Sequence, residues 1–438
     1  MKSRIRIVLF SAAGAVVVLI AAGVWAAHHV DRYLPDLTRY LQKKTGKQVE
    51  IAHATVTLFP LGVRLEGVGI RNPKPFPAGY FLKVPVMTAA VEVVPLIHGT
   101  IAVESLVLKQ PVIDFISDPD GLWNFQTPGA ATQAQKMRFV LGPIAKVEID
   151  QGKLLGSALI DLSDMPGPVV LEIDNFSAGV KQFDFNAFKT DPNTRAAGHL
   201  DADAARFGDI HVTNLHSGLL VAPEELTFHQ FRAKTYRGQA SGDFTLKLAG
   251  KNPSFNADLS VSGIGVPYLL GEFEKGPAAM TGMMQAKLTV WGEIAHTATP
   301  LAGISGAGQF IVHNGEIPSI NRDKSMVEMK RFRNASAAKK PVSAFSQFSG
   351  DVELKNRRFY NRKIGFDFYG IDVGGGGSVD EANEGLNYRG TATILKQPGF
   401  FVSSYVRMFK GAKEKNGKLT FPIVLTGTLS DPQFAIAK

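Results

Sequence analysis

Residues 49–70 read VEIAHATVTLFPLGVRLEGVGI. Apolar side chains alternate with others at Val49/Ile51, Val56/Leu58, Val63/Leu65 and Val68/Ile70. A repeat of two is that of a strand with one face turned to apolar surroundings. Phe59-Pro60-Leu61-Gly62 breaks the alternation with turn residues, so the stretch predicts two strands joined tightly. The apolar phase changes near Ala52–Ala54 and again at Gly67, as it does when a strand carries an extra residue. Val49, Ile51, Val56, Leu58, Val63, Leu65, Val68 and Ile70 are therefore the candidate lining of an apolar sheet face.

What precedes this stretch sets its place. Tyr33, Leu34, Leu37 and Leu41 form a short amphipathic segment that ends at Thr45-Gly46-Lys47. Before it, Ile7–Ala27 is an uncharged run of 21 residues, which as a helix would span about 31 Å, the thickness of a bilayer's hydrocarbon core. Lys2, Arg4 and Arg6 precede the run and predict a cytoplasmic N-terminus, with the rest of the chain across the membrane. A cleaved signal peptide is the rival reading: Val24-Trp25-Ala26 has the spacing of a cleavage site. The length of the run exceeds a usual signal core and favours a retained, single-pass anchor. Val91–Ile97 is short and holds Pro95, so it does not supply a second span.

Composition bounds the remainder. Charged residues make up 20% and apolar residues 45%, the balance of ordered protein; 44 glycines and 24 prolines with few long helical patterns favour many strands and turns. The formal net charge is +9. A modest basic excess suits an anionic membrane surface. It lacks the Lys/Arg stripe with interleaved aromatics expected of nucleic-acid binding, and no nucleic-acid partner is assigned. Cysteine is absent, which removes disulfides, thiol catalysis and zinc–thiolate sites together.

Further strands are predicted at Val84–Val94, Ile101–Leu108 and Val112–Ile116, and a turn at Asp118-Pro119-Asp120-Gly121. Thr127–Gln135 has no large apolar residue and reads as a linker. Three words align without gaps: VEIDQGKL (147–154), FIVHNGEI (310–317) and VELKNRRF (352–359), each with Asn or Gln at its fifth position. They predict a repeated unit of strand, tight turn and strand. Helical pattern is confined to Pro267–Glu274, Ile320–Arg333 and Pro398–Lys415. In the last, Phe401, Tyr405 and Met408 share a face with Arg407 and Lys410 beside it. These five are candidates for membrane contact, against the commoner reading of a helix packed on the sheet.

Catalytic and metal-binding patterns are weak. His211 and His216 lie five apart without zinc-ligand spacing. Asp118-Pro119-Asp120-Gly121 lacks the remaining ligands of a calcium loop. Gly374–Gly377 is embedded in strand-like sequence and has no following helix to complete a phosphate cradle, so flexible or closely approached backbone is the expectation. No catalytic residue, metal site or cofactor is nominated, and the expectation is a protein that is not an enzyme.

Several words together resemble a family. LPDLTRYLQKKTGKQVEI (34–51), TVTLFPLGVRLEGVGIRNP (55–73) and VVPLIHGTIAVESLVLKQPVIDFISDPDGLWNF (93–125) follow the anchor in the order of the AsmA-type proteins of diderm bacterial envelopes. LTFHQFRAKTYRGQASGDFTL (226–246), ADLSVSGIGVPYLL (257–270), GQFIVHNGEIPS (308–319), YGIDVGGGGSVDEANEGLNYRGTATI (369–394) and LTFPIVLTGTLSDPQFAIA (419–437) are similar to the C-terminal half of that family. The resemblance implies an inner-membrane protein projecting into the periplasm. Its N-terminal part would be similar to chorein-type bridge proteins, whose curved sheets carry lipid chains. It further implies membrane phospholipids as partners, and a link to outer-membrane proteins or their assembly machinery. The chain is short for the family, which favours a partial groove over a full bridge.

The expected fold class is mainly β: an N-terminal transmembrane helix, then an elongated, curved, largely antiparallel sheet forming a groove, with a few short helices. The expected organisation is an anchor over 1–29, a helix and groove start over 30–126, a linker over 127–135 and a repeated hairpin region over 136–438.

Overall fold

The computed structural model describes residues 47–92, 102–118, 122–124, 144–158, 169–184, 191–207, 210–247, 254–271, 280–293, 303–318, 340–341, 343–356, 358–380, 385–395, 411–416, 418–428 and 432–436, together with 35, 38, 39, 42 and 187. The anchor Ile7–Ala27, the linker 127–135, the helical pattern Ile320–Arg333 and the five membrane-contact candidates Phe401, Tyr405, Arg407, Met408 and Lys410 lie outside the described residues. Among the described residues no helix is long and apolar enough to cross a membrane.

The protein is mainly β; the described residues hold 22 strands and one helix whose whole extent is described. The chain divides into two compact units: 1–208 with 214–227, and 209–213 with 228–438. The first unit holds β1 (Val49–Glu50), β2 (His53–Leu58), β3 (Leu61–Arg71), β4 (Tyr80–Val91), β5 (Val103–Lys109), β6 (Val112–Ser117), β7 (Ile144–Ala158), β8 (Val169–Phe183) and β9 (Ala196–Phe207). β10 (Ile210–Ala222) and β11 (Glu225–Thr235) contain the division. The second unit continues with β12 (Gly238–Lys247), β13 (Ser254–Gly265), α1 (Val266–Leu270), β14 (Met283–Glu293), β15 (Ile304–Glu316), β16 (Ala344–Lys355) and β17 (Arg358–Asp367). It ends with β18 (Ile371–Asp380), β19 (Leu386–Ile394), β20 (Lys413–Lys415), β21 (Lys418–Gly427) and β22 (Pro432–Ile436).

In the first unit the hairpin read from residues 49–70 is β2–β3, turning at Phe59-Pro60, with Ala54 opposite Leu65 and Val56 opposite Val63. Gly67 carries the phase change. Its φ is +63°, and a Cβ there would stand 2.8 Å from that of Ala52, so a side chain is excluded twice over. The irregularity lets Val63 and Leu65 before it, and Val68 after it, contribute to one apolar cluster with Ala54, Val84 and Leu108.

The largely antiparallel expectation has an exception. β7 runs parallel to both β5 and β6. Those two are in effect one strand, broken at Gln110-Pro111, that pairs antiparallel with β4 along its other edge. A parallel neighbour requires a long connection, and 26 residues, 118–143, separate β6 from β7 in the sequence.

The repeated words also fold differently from expectation. VEIDQGKL runs inside the single strand β7, and FIVHNGEI stays within β15 up to its final residue, Ile317. Only VELKNRRF is a hairpin, turning after β16 at Asn356. The common feature is the fifth residue: Gln151, Asn314 and Asn356 have φ of 53°, 51° and 52°. At Gln151 the β7–β8 register shifts between Ile149 and Gly152, a bulge that keeps Ile149 and Gly152 opposite Ala178 and Phe176. Asn175 (φ 48°) shifts β8 in compensation beside it. Asn tolerates left-handed backbone in a turn and in a bulge alike, so the signal was real and its structural meaning was not.

The second unit pairs in sequence from β12 to β19, every pair antiparallel. β21 then pairs with β19 along one edge and with β20 and β22 along the other. The helical pattern at Pro267–Glu274 is realised as α1. The pattern at Pro398–Lys415 is corrected at its end, because Lys413–Lys415 is a strand in register with Lys418–Thr420. Gly374–Gly377 lies in β18 between β17 and β19, and side chains at Gly375, Gly376 and Gly377 would overlap the carbonyl oxygens of Arg389, Arg362 and Asn387. Close backbone approach is thus the reason for the glycine run.

Candidate functional site

One face of the second unit stands out. Across β12–β16 a row of facing residues runs Gly242, Leu259, Leu288, Gly308, Val352, and the next runs Phe244, Ala257, Val290, Gly306, Leu354. The intervening residues, on the opposite face, include Ser241, Ser260, Lys287, Gln309 and Asp351. Strict alternation thus gives five adjacent strands one side without a polar side chain in either row, and one hydrated side. Five strands make a floor about 19 Å across at the usual spacing. Gly242, Gly306 and Gly308 lower that floor between the flanking Leu, Val and Phe side chains.

This face is not closed by a second layer of described residues. Leu259, Leu288, Val290 and Leu354 keep partial exposure and belong to none of the buried clusters. At the other end of β15 and β16, and across β17–β21, the same face becomes a true core. Val312, Phe345, Phe368, Ile371, Ala392 and Ile394 are buried there, with Phe348 and Phe366 stacked at 3.9 Å. Val266 and Leu270 of α1 pack on that end. The apolar surface is therefore sealed at one end by aromatic packing and α1, and partly exposed over the two rows from Gly242 to Val352 and Phe244 to Leu354.

A buried polar side chain on β17 is satisfied internally. Asn361 is buried; its amide donates to the Asp351 carbonyl and accepts from the Tyr388 hydroxyl. Burial raises the Tyr388 pKa to about 12, because the phenolate would lose its water.

The first unit places the sequence-predicted lining as follows. Ile51, Val63, Leu65 and Val68 join one cluster, in which Val68 is 4% and Val84 0% exposed. Val49 is buried opposite Ile70, and Ile70 pairs on its other edge with Leu82 of that cluster. Val56 and Leu58 are partly exposed, and Leu58 sits at the hairpin end. The cluster is well packed, whereas the more accessible apolar face is the one in the second unit, which sequence reading passed over. Its signal was present: Phe255, Ala257, Leu259 and Val261 alternate with Asn256, Asp258, Ser260 and Ser262.

A polar lock holds one end of the first unit. Asn124 is wholly buried: its Oδ1 accepts from the Ile116 amide at 3.0 Å, and its Nδ2 donates to Asn72 Oδ1 and the Asp114 carbonyl. Lys47 Nζ donates to the Asn124 carbonyl at 2.5 Å and lies 5.6 Å from the Phe81 ring. Burial lowers the Lys47 pKa and raises that of Asp114, since both lose water around their charged forms. Among the histidines, His216 pairs with Asp201 at 2.6 Å.

The residues of this lock, and the β2–β3 hairpin, all fall inside the one stretch that matches a known family. No curated protein matches the chain. The model of the AsmA family matches residues 1–152, from the first residue through β6 and into β7, so the N-terminal third of the chain is similar to the AsmA family.

Proposed function

We propose that the chain is an inner-membrane-anchored periplasmic protein whose apolar sheet face holds phospholipid acyl chains. In this reading it binds phospholipid, or helps transfer it, between inner and outer membranes in support of outer-membrane biogenesis. The observation that carries the reading is the β12–β16 face: five strands wide, apolar in its facing rows and partly exposed. Apolar surface left in water is unfavourable by about 25 cal/mol per Å2. An acyl chain laid on it removes that surface and contributes about 0.8 kcal/mol for each of its own methylenes taken out of water. Binding of this kind needs shape and dryness and few polar contacts. It also makes and breaks no covalent bond, so no catalytic residue and no cofactor enter the proposal. The similarity of residues 1–152 to the AsmA family supports the envelope setting, and the basic net charge suits anionic lipid.

A second reading has one observation in its favour. β22 closes the run of pairings that begins at β12, and its outer edge is where a further strand would add. Through that edge the protein would engage an outer-membrane protein or its assembly machinery. Native mass spectrometry of the full chain extracted in mild detergent separates the two. Co-purified phospholipid is expected for the lipid reading. A lipid-free protein that captures a strand-forming peptide would replace it with the second.

A further inference from the structure

The tip of the β2–β3 hairpin is apolar and unprotected. Phe59 is 94% exposed, far more than any other large apolar residue among those described. Pro60 beside it is exposed, and Leu58 and Leu61 flank the pair. From Ala54 to Val63 there is no ionisable side chain. The turn is held in shape by Thr57, whose hydroxyl donates to the Pro60 carbonyl at 2.8 Å. Nothing in the hairpin's own packing uses the Phe59 ring.

We infer that this tip is an interfacial wedge, with Phe59 entering the headgroup boundary of a lipid bilayer. Three observations favour a bilayer over a protein as the occupant. The feature is a convex point with one projecting aromatic ring, which suits a deformable apolar phase; a protein would have to supply a fitted pocket. The uncharged stretch on both sides of the ring lets the tip sink without dragging an ion from water. Reach is sufficient as well. Twenty-one residues separate Ala27 from Val49 and are helical at 35, 38, 39 and 42, a span of at most about 60 Å, whereas β3 carries the tip only about 36 Å from its far end. The inference rests on the membrane anchorage proposed above and is independent of what the β12–β16 face binds. It gives the chain a second contact with the bilayer besides its N-terminal run, and so an orientation.

The absence of cysteine makes the test clean. Full-length Phe59→Cys, labelled with an environment-sensitive fluorophore, is reconstituted in phosphatidylethanolamine/phosphatidylglycerol vesicles, beside Gln285→Cys on the hydrated face of β14. The expected result is a blue-shifted emission at position 59, quenched by shallow spin-labelled lipid and unchanged by high salt, with neither effect at position 285. A vesicle-bound protein whose position 59 behaves like position 285 overturns the wedge and leaves the anchor standing. Protein that fails to float with the vesicles overturns both.

Discussion

Leu288→Asp separates a lipid-binding face from an ordinary core. Leu288 stands between Leu259 and Gly308 in the middle of the exposed apolar row and keeps partial exposure. A fully buried leucine contributes about 1.5–3 kcal/mol. At this position a carboxylate can remain hydrated through the open face, so the expected loss of folding stability is at the lower end, about 1–2 kcal/mol. The effect on bound lipid is larger, because an acyl chain lying over the introduced carboxylate would strip that water. Leaving even a neutral polar group unsatisfied costs about 1–3 kcal/mol in protein contexts, and an ionised carboxylate costs more. The middle of the neutral range, about 2 kcal/mol, sets a lower bound of roughly a 30-fold loss of occupancy. The assay is phospholipid per protein after detergent extraction, beside the melting temperature. Lys287→Ala, one residue away on the hydrated face, is the control and should leave lipid unchanged. Wild-type lipid content in Leu288→Asp, or equal loss in both variants, would refute the reasoning.

Three further outcomes follow from the packing and the charges. Asn124→Ala deprives the Ile116 amide, Asn72 and the Asp114 carbonyl of their buried partner; urea unfolding should show a loss of about 3 kcal/mol. Tyr388 titrates higher in the folded chain than in the unfolded one, so its contribution is complete below pH 10 and lost as the pH rises towards its folded value of about 12. Tyr388→Phe should flatten that alkaline decline in thermal stability. Glu172 is held below the usual carboxylate range by hydrogen bonds from Lys153 first and Arg206 second. Its contribution is therefore present above the unfolded pKa and lost as the pH falls through the folded one, and Glu172→Gln should be less sensitive to acid.

Local pattern explains what could be read in advance. The β2–β3 hairpin, its turn at Phe59-Pro60 and the phase change at Gly67 depend on residues within about ten positions of one another, where alternation and turn chemistry act directly. The parallel placement of β7 depends on β5 and β6, some 40 positions away, and no periodicity in Ile144–Ala158 encodes it. The words around Gln151 and Asn314 misled because a left-handed residue inside a strand and one between strands look alike in sequence. The apolar face of β12–β16 was legible strand by strand. Its size emerges only when Leu259, Leu288 and Gly308 are brought into one row by pairing, and that is a non-local fact. Glycines at 242, 306 and 308 hid it further, since they leave gaps in the apolar alternation of their strands while forming the floor.

The most direct measurement compares two neighbours on opposite faces of β13. A photo-crosslinking amino acid is placed at Leu259, on the apolar face, or at Asp258, whose carboxylate accepts a hydrogen bond from Thr289 on the hydrated face. The full chain is then irradiated in native membranes and its adducts are identified by mass spectrometry. A lipid-holding face predicts phospholipid adducts at position 259 and none at 258. Adducts absent from both positions, or equal at both, would contradict it.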